Sequence, residues 1–149
     1  MKLAPGEGLF VITKTTGAKF QTSGAVPQED VYTDVADNSE GILMANPSPV
    51  TVDLGDCKVF GCTSQKTPNA LEVQTLNEFG GTDRSFNWKD YKNPLTSQVL
   101  LGWYENNSTD YTTLPADKKV KLTPGKGIFV ITKCTQDIKF VWPKVELGE

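Results

Sequence analysis

The chain has 149 residues, of which 38% are hydrophobic and 22% charged, with a formal charge of −3; this is a globular balance for one domain of ordinary size. Histidine is absent, which excludes Ser-His and Cys-His nucleophile pairs and histidine-ligated zinc. Arg84 is the only arginine, so the basic footprint of a nucleic-acid reader is missing and no nucleic-acid partner is expected.

In chain order, Lys2 is followed by no apolar run of the kind a secretory signal needs, and no run approaches a membrane span. The chain therefore reads as made without a signal peptide, with no membrane partner. Pro5-Gly6 suits a type II turn, because proline presets φ and glycine accepts a positive φ. The run Leu9, Phe10, Val11, Ile12, Thr13 is β-branched and aromatic, a strand by composition and our candidate assembly edge. A return strand is expected over residues 18–22, and one helical turn near residues 27–34.

Strands are then predicted over residues 41–45, stopped by Asn46-Pro47-Ser48-Pro49, and over 50–54, 58–60 and 70–76. In the last of these Leu71, Val73 and Thr75 alternate with Glu72 and Gln74, a half-exposed strand. A strand over 85–88 should end before Lys89, and one over 99–104 should run centrally, with Gly102 marking a bulge or close backbone approach. Lys118, Lys119 and Lys121 read as a solvated strand edge.

The strongest signal is internal repetition. Residues 2–14 (KLAPGEGLFVITK) and 121–133 (KLTPGKGIFVITK) are identical at ten of thirteen positions. Both continue toward a second strand, ending in Lys19-Phe20 and Lys139-Phe140. Each copy reads as a β-hairpin opened by a Pro-Gly-x-Gly turn. Gly125-Lys126-Gly127 is not a phosphate loop, since a strand rather than a helix follows. The expected fold is all-β, an antiparallel sandwich or barrel with two homologous hairpins at the chain ends. Residues 1–26 form a half-repeat hairpin and 27–149 a complete unit, together one compact domain. An isolated hairpin must dock; residues 1–26 either pair inside the same barrel, the disposition we prefer, or complete a sheet in a neighbouring chain.

Few residues invite chemistry. Asp53/Asp56 and Asp83/Asp90 can be named as carboxylate pairs, but surface carboxylates are the plainer reading. Glu29, Asp30, Asp34 and Asp37 lack the spacing of an EF-hand loop. Three cysteines, Cys57, Cys62 and Cys134, are too few for a structural zinc site. They are expected as reduced, mostly buried thiols, with Cys57 and Cys62 near enough in sequence to pair if their Cα atoms lie within about 7 Å. No catalytic residue, cofactor or metal is assigned, and no enzyme is expected. Trp88, Tyr91, Trp103 and Tyr104 form the candidate aromatic contact surface, and with Tyr111 and Trp142 they raise carbohydrate stacking as an alternative.

The L-x-P-G-x-G-Φ-F-V segments, the Gly102-Trp103-Tyr104 preceding Leu122, and Asn46-Pro47-Ser48-Pro49 upstream resemble repeated β-modules of bacterial surface and secreted proteins, over residues 41–145. The resemblance implies a fold and is nearly silent about activity. In overall type the chain also resembles phage virion accessory proteins, either decoration (cement) or fibre modules. The expected function is structural: assembly through sheet edges and apolar contacts with copies of itself or another structural protein. That places it on a virion, or otherwise at a cell surface as part of a larger chain.

Overall fold

A computed structural model describes residues 26–35, 41–61, 70–132 and 134–144, with Lys14 and Thr16. The candidate edge Leu9, Phe10, Val11, Ile12, Thr13, the return strand over 18–22, Asp37 and Cys62 lie outside the described residues. The strands are β1 (Val31–Val35), β2 (Ile42–Ala45), β3 (Val52–Asp53), β4 (Lys58–Phe60), β5 (Leu71–Leu76), β6 (Thr82–Lys92), β7 (Val99–Glu105), β8 (Thr109–Asp110), β9 (Lys121–Leu122), β10 (Gly127–Thr132) and β11 (Ile138–Trp142). They build antiparallel sheets in the orders β2-β10-β5-β6-β7-β8, β1-β11-β4 and β3-β9.

Period-two alternation puts apolar residues on facing surfaces. Leu71, Val73 and Thr75 of β5, Ile128 and Val130 of β10, and Ile138, Phe140 and Trp142 of β11 are buried, while Glu72 and Gln74 are half-buried. Phe140 lies 6.1 Å from Trp103 and 4.9 Å from Trp142 between ring centroids, joining the three-stranded sheet to the six-stranded one. The fold is thus all-β and sandwich-like. Each large apolar side chain removed from water stabilises it by roughly 1.5–3 kcal/mol.

The second repeat copy departs from the expected hairpin. Its turn is as read: the Lys126 N–H donates to Thr123 O at 2.9 Å and Gly125 has φ +72°, the geometry of a type II turn. But β10 pairs with β2 and β5, and β11 pairs with β1 and β4. The connection after Thr132 therefore carries the chain from one sheet to the other. Crossing sheets lets Ile128 and Val130 face Ile138 and Phe140 through a common core, a burial that a hairpin within one sheet cannot give.

Other expectations also change. Residues 31–35 form a strand, not a helical turn: Val31, Thr33 and Val35 are the less exposed positions, alternating with exposed Tyr32 and Asp34, and the segment pairs along β11. β6 runs on to Lys92, past the end of β5 at Trp88, because β7 continues to pair with it as far as Val99. Gly102 makes no bulge: the β6–β7 register passes through it unbroken, and a Cβ there would meet nothing within 4 Å. Its φ of +138° is what calls for glycine. The ladder shifts at Thr75/Leu76 instead. Lys118 ends a 3₁₀ turn, Ala116–Lys118, rather than a strand edge.

One side chain joins the two motifs of the repeat. Buried Asn46 donates its amide to Val50 O and Leu122 O, each at 2.8 Å, and its Oδ1 accepts from the Ser48 N–H at 2.8 Å. Its main chain also exchanges hydrogen bonds with the Pro-Gly turn, from Asn46 N–H to Lys126 O and from Gly125 N–H to Asn46 O, both 3.4 Å. Asn46 thus holds both the Pro-Gly turn and Leu122, which is 76 residues away.

Cysteine usage also differs from expectation. Cys57 is free and buried, so it does not pair with Cys62, and burial, then the nearby Asp56 and Asp53 charges, push its thiol well up. Cys134 is disulfide-bonded rather than reduced.

Candidate functional site

The β6–β7 ladder decides the aromatic surface. Trp88 and Trp103 face each other directly in register, 5.2 Å apart and edge-to-face at 70°. Both are buried, and Trp103 Nε1 donates to Cys57 O at 2.9 Å. They are core residues, not a platform. Tyr91 and Tyr104 are half-buried on the other face. Their ladder partners, Leu100 and Asn87, place them four residues apart along the strands, about 13 Å. Lys89 Nζ lies 4.4 Å from the Tyr104 ring centroid and donates to Asn107 O. Burial lowers the Lys89 pKa; burial, then the Asp110 charge, raises that of Tyr104. The four residues therefore form no common contact surface, and Tyr111 and Trp142 are buried too.

Beyond the tryptophan pair the same two strands leave the core. Asp90 pairs with Leu101 and Lys92 with Val99, and the turn between carries Leu95. Leu95 is 93% exposed, Leu101 62% and Val99 60%. The turn is tied internally: Asn93 N–H donates to Gln98 O at 2.8 Å, Ser97 N–H to Asn93 O at 2.9 Å, and Leu95 N–H to Asn93 Oδ1 at 2.9 Å. These bonds present the leucine on a closed hairpin rather than a loose loop. β8 pairs only with Tyr104 and Glu105, so on the edge of β7 away from β6 no strand among the described residues lies beside 99–103.

The sequence reading missed this arm because it took the apolar run over 99–104 as central. The signal was available: the inward phase of β6 changes from Phe86 and Trp88 to Asp90 and Lys92, marking where the core ends. Burial raises the Asp90 pKa.

Of the candidate carboxylate pairs, Asp83/Asp90 does not form. Asp83 and Asp90 are seven residues apart on one strand, about 23 Å. Asp53 is engaged structurally: Oδ1 accepts from Tyr111 OH at 2.7 Å and from the Gly55 N–H at 2.8 Å, and Oδ2 pairs with Lys121 Nζ at 2.7 Å. Tyr111 OH in turn accepts the Val120 N–H at 2.7 Å. Burial would raise the Asp53 pKa, but the bonds from Lys121, Tyr111 and Gly55 outweigh it and hold it below its ordinary value. Tyr111 moves up, by burial first and by its bond to Asp53 second. Asp34 pairs with Lys139 at 2.8 Å, and Asp30 accepts the Lys144 N–H at 2.7 Å. Among the described residues no group of three or more acidic or cysteine side chains is arranged to hold a metal ion, and no helix is long and apolar enough to cross a membrane.

In comparisons with known proteins, no family model, no curated protein and no solved structure matches this chain.

Proposed function

We propose that the chain is a non-enzymatic structural module that assembles with copies of itself through the free edge and apolar side of its β6–β7 arm. The carrying observation is the arm: Leu95, Val99 and Leu101 are exposed beside the edge of β7 that faces away from β6, where 99–103 has no strand partner among the described residues. An apolar strand edge is a template for strand addition, in which main-chain bonds supply affinity and alternate side chains supply fit. A stable interface needs roughly 1,200–2,000 Å² in total, so the edge and the leucine-bearing turn must act together.

The setting we favour is a phage virion accessory role, as decoration, cement or fibre protein; its support is the small, β-rich, mildly acidic character of the chain. A second reading, a repeat module of a surface or secreted protein, is favoured by the Asn46 bonds that unite the N-P-x-P and P-G-x-G motifs. Carbohydrate stacking loses its main support with Trp88 and Trp103 in the core.

The test is solution mass by light scattering over a concentration series, for the intact chain and for Val99→Lys/Leu101→Lys. We expect association that rises with concentration in the first and is lost in the second. An intact chain that stays monomeric throughout overturns the proposal.

A further inference from the structure

The β6–β7 ladder fixes which backbone groups of β7 point outward. In an antiparallel ladder, pairs that exchange both main-chain bonds alternate with pairs that exchange none, and the groups of the second kind point away. Two bonds at the ends of the ladder set the phase: Asn93 N–H donates to Gln98 O at 2.8 Å, and Asn106 N–H to Ser85 O at 3.1 Å. The register runs unbroken between them, from Lys92/Val99 to Phe86/Glu105. Counted from either end, Leu100, Gly102 and Tyr104 bond to β6. Val99, Leu101, Trp103 and Glu105 turn their N–H and C=O away from it.

The far end of this outward row is occupied. Glu105 pairs with Thr109 of β8. Tyr111 follows Asp110, the partner of Tyr104, so the 3₁₀ turn Tyr111–Thr113 stands beside Trp103. That leaves Val99 and Leu101, whose side chains are also 60% and 62% exposed. Backbone and side chains thus offer the same two positions, with Leu100 between them. Such an edge is complementary to itself. Turned about a two-fold axis at Leu100, Val99 of each copy meets Leu101 of the other, and each of these residues both donates and accepts. An axis at Leu101 would set Val99 against Trp103, where the 3₁₀ turn stands. An axis at Val99 would call on Ser97, whose N–H already donates to Asn93 O. With the axis at Leu100, Val99 and Leu101 of both copies make one apolar cluster on one side of the sheet. On the other side Leu100 meets Leu100 between the two Tyr91 rings, since Tyr91 is its ladder partner on β6.

We infer that two copies of the chain pair β7 against β7, antiparallel, about a two-fold axis at Leu100, and that this closes the assembly at two. The inference rests on the assembly reading and adds to it the strand met, the register and the stopping point: once paired, neither copy has its β7 edge left.

Cysteine substitutions read the register. Across the axis Leu100 faces Leu100 with Cα atoms about 4.5 Å apart, and Val99 faces Leu101 at about 5.5 Å, both within reach of a disulfide. Two residues 99, or two residues 101, stand on the diagonal at about 7–8 Å, too far without backbone movement. Each variant is oxidised and run on a non-reducing gel, with the unsubstituted chain as background. We expect a covalent dimer from Leu100→Cys alone and from Val99→Cys mixed with Leu101→Cys, and none above background from either of these two alone. Light scattering of the intact chain should level off at two copies. A covalent dimer from Leu101→Cys alone, none from both Leu100→Cys and the mixture, or a mass that climbs past two copies overturns the inference. Each of these leaves the assembly reading standing so long as the intact chain associates; an intact chain that stays monomeric ends both.

Discussion

Two stretches of one ladder, β6 paired with β7, have the same backbone and opposite fates. Around Trp88 and Trp103 the strands carry the centre of the core; from Asp90 and Leu101 outward they stand clear of it. The β6–β7 pairing runs through both, although β5 flanks β6 only as far as Trp88. What differs is the layer opposite: Phe140 lies against Trp103, whereas Leu101 and Val99 are exposed on the same side of the sheet. An apolar residue in a strand therefore contributes to stability only where a second sheet meets it, and is available for a partner where none does.

Substitutions can break that contrast, and the largest effect is expected in its core half. Trp103→Ala removes an aromatic pair and the donor to Cys57 O; about 3–5 kcal/mol should be lost in urea unfolding. Tyr111→Phe leaves the buried Val120 N–H and Asp53 short of a partner and should cost about 1–3 kcal/mol by the same measurement. At the border, Gly102→Ala meets no atom but must hold a positive φ; about 1–2 kcal/mol should be lost. On the arm, Leu101→Lys should change stability by less than about 0.5 kcal/mol while weakening self-association, the reverse of the Trp103 result.

The Asp53 knot sharpens the comparison through pH. Its carboxyl is held below the ordinary value of 3.8 in the fold. The stability it adds is therefore present above that value and is lost as pH falls through the lower, folded one. The difference in urea midpoint between the wild type and Asp53→Asn should shrink from about pH 7 to about pH 3; a constant difference would show the carboxylate charge to be irrelevant.

Much of the fold was legible because alternation is local. Leu71, Val73 and Thr75 against Glu72 and Gln74 gave β5 its faces, and Pro124-Gly125 gave the turn its type. What was not legible is non-local. Whether β10 pairs with β11 depends on β2, β5, β1 and β4, so a strand-turn-strand pattern read as a hairpin became a crossing between sheets. The charges in residues 89–92 hid the end of β6 because that end is set by pairing with β7. Val31 to Val35 was obscured by Thr33, a polar residue at an inward position. For the site, the aromatics were visible but their faces were not: Trp88 and Trp103 went inward on register alone. Asn46 stood in a noticed motif, yet its bond to Leu122 O could be found only in three dimensions.

The position of β10 and β11 also bears on the order in which the chain is made and the order in which it is assembled. They lie between β2 and β5 and between β1 and β4, yet they are the last described strands to leave the ribosome. A nascent chain that has reached β8 holds two incomplete sheets, each with its middle missing. The long-range pairings then close late, which favours slow folding, and until they close the open middle of a newborn chain is exposed to any neighbour's strand.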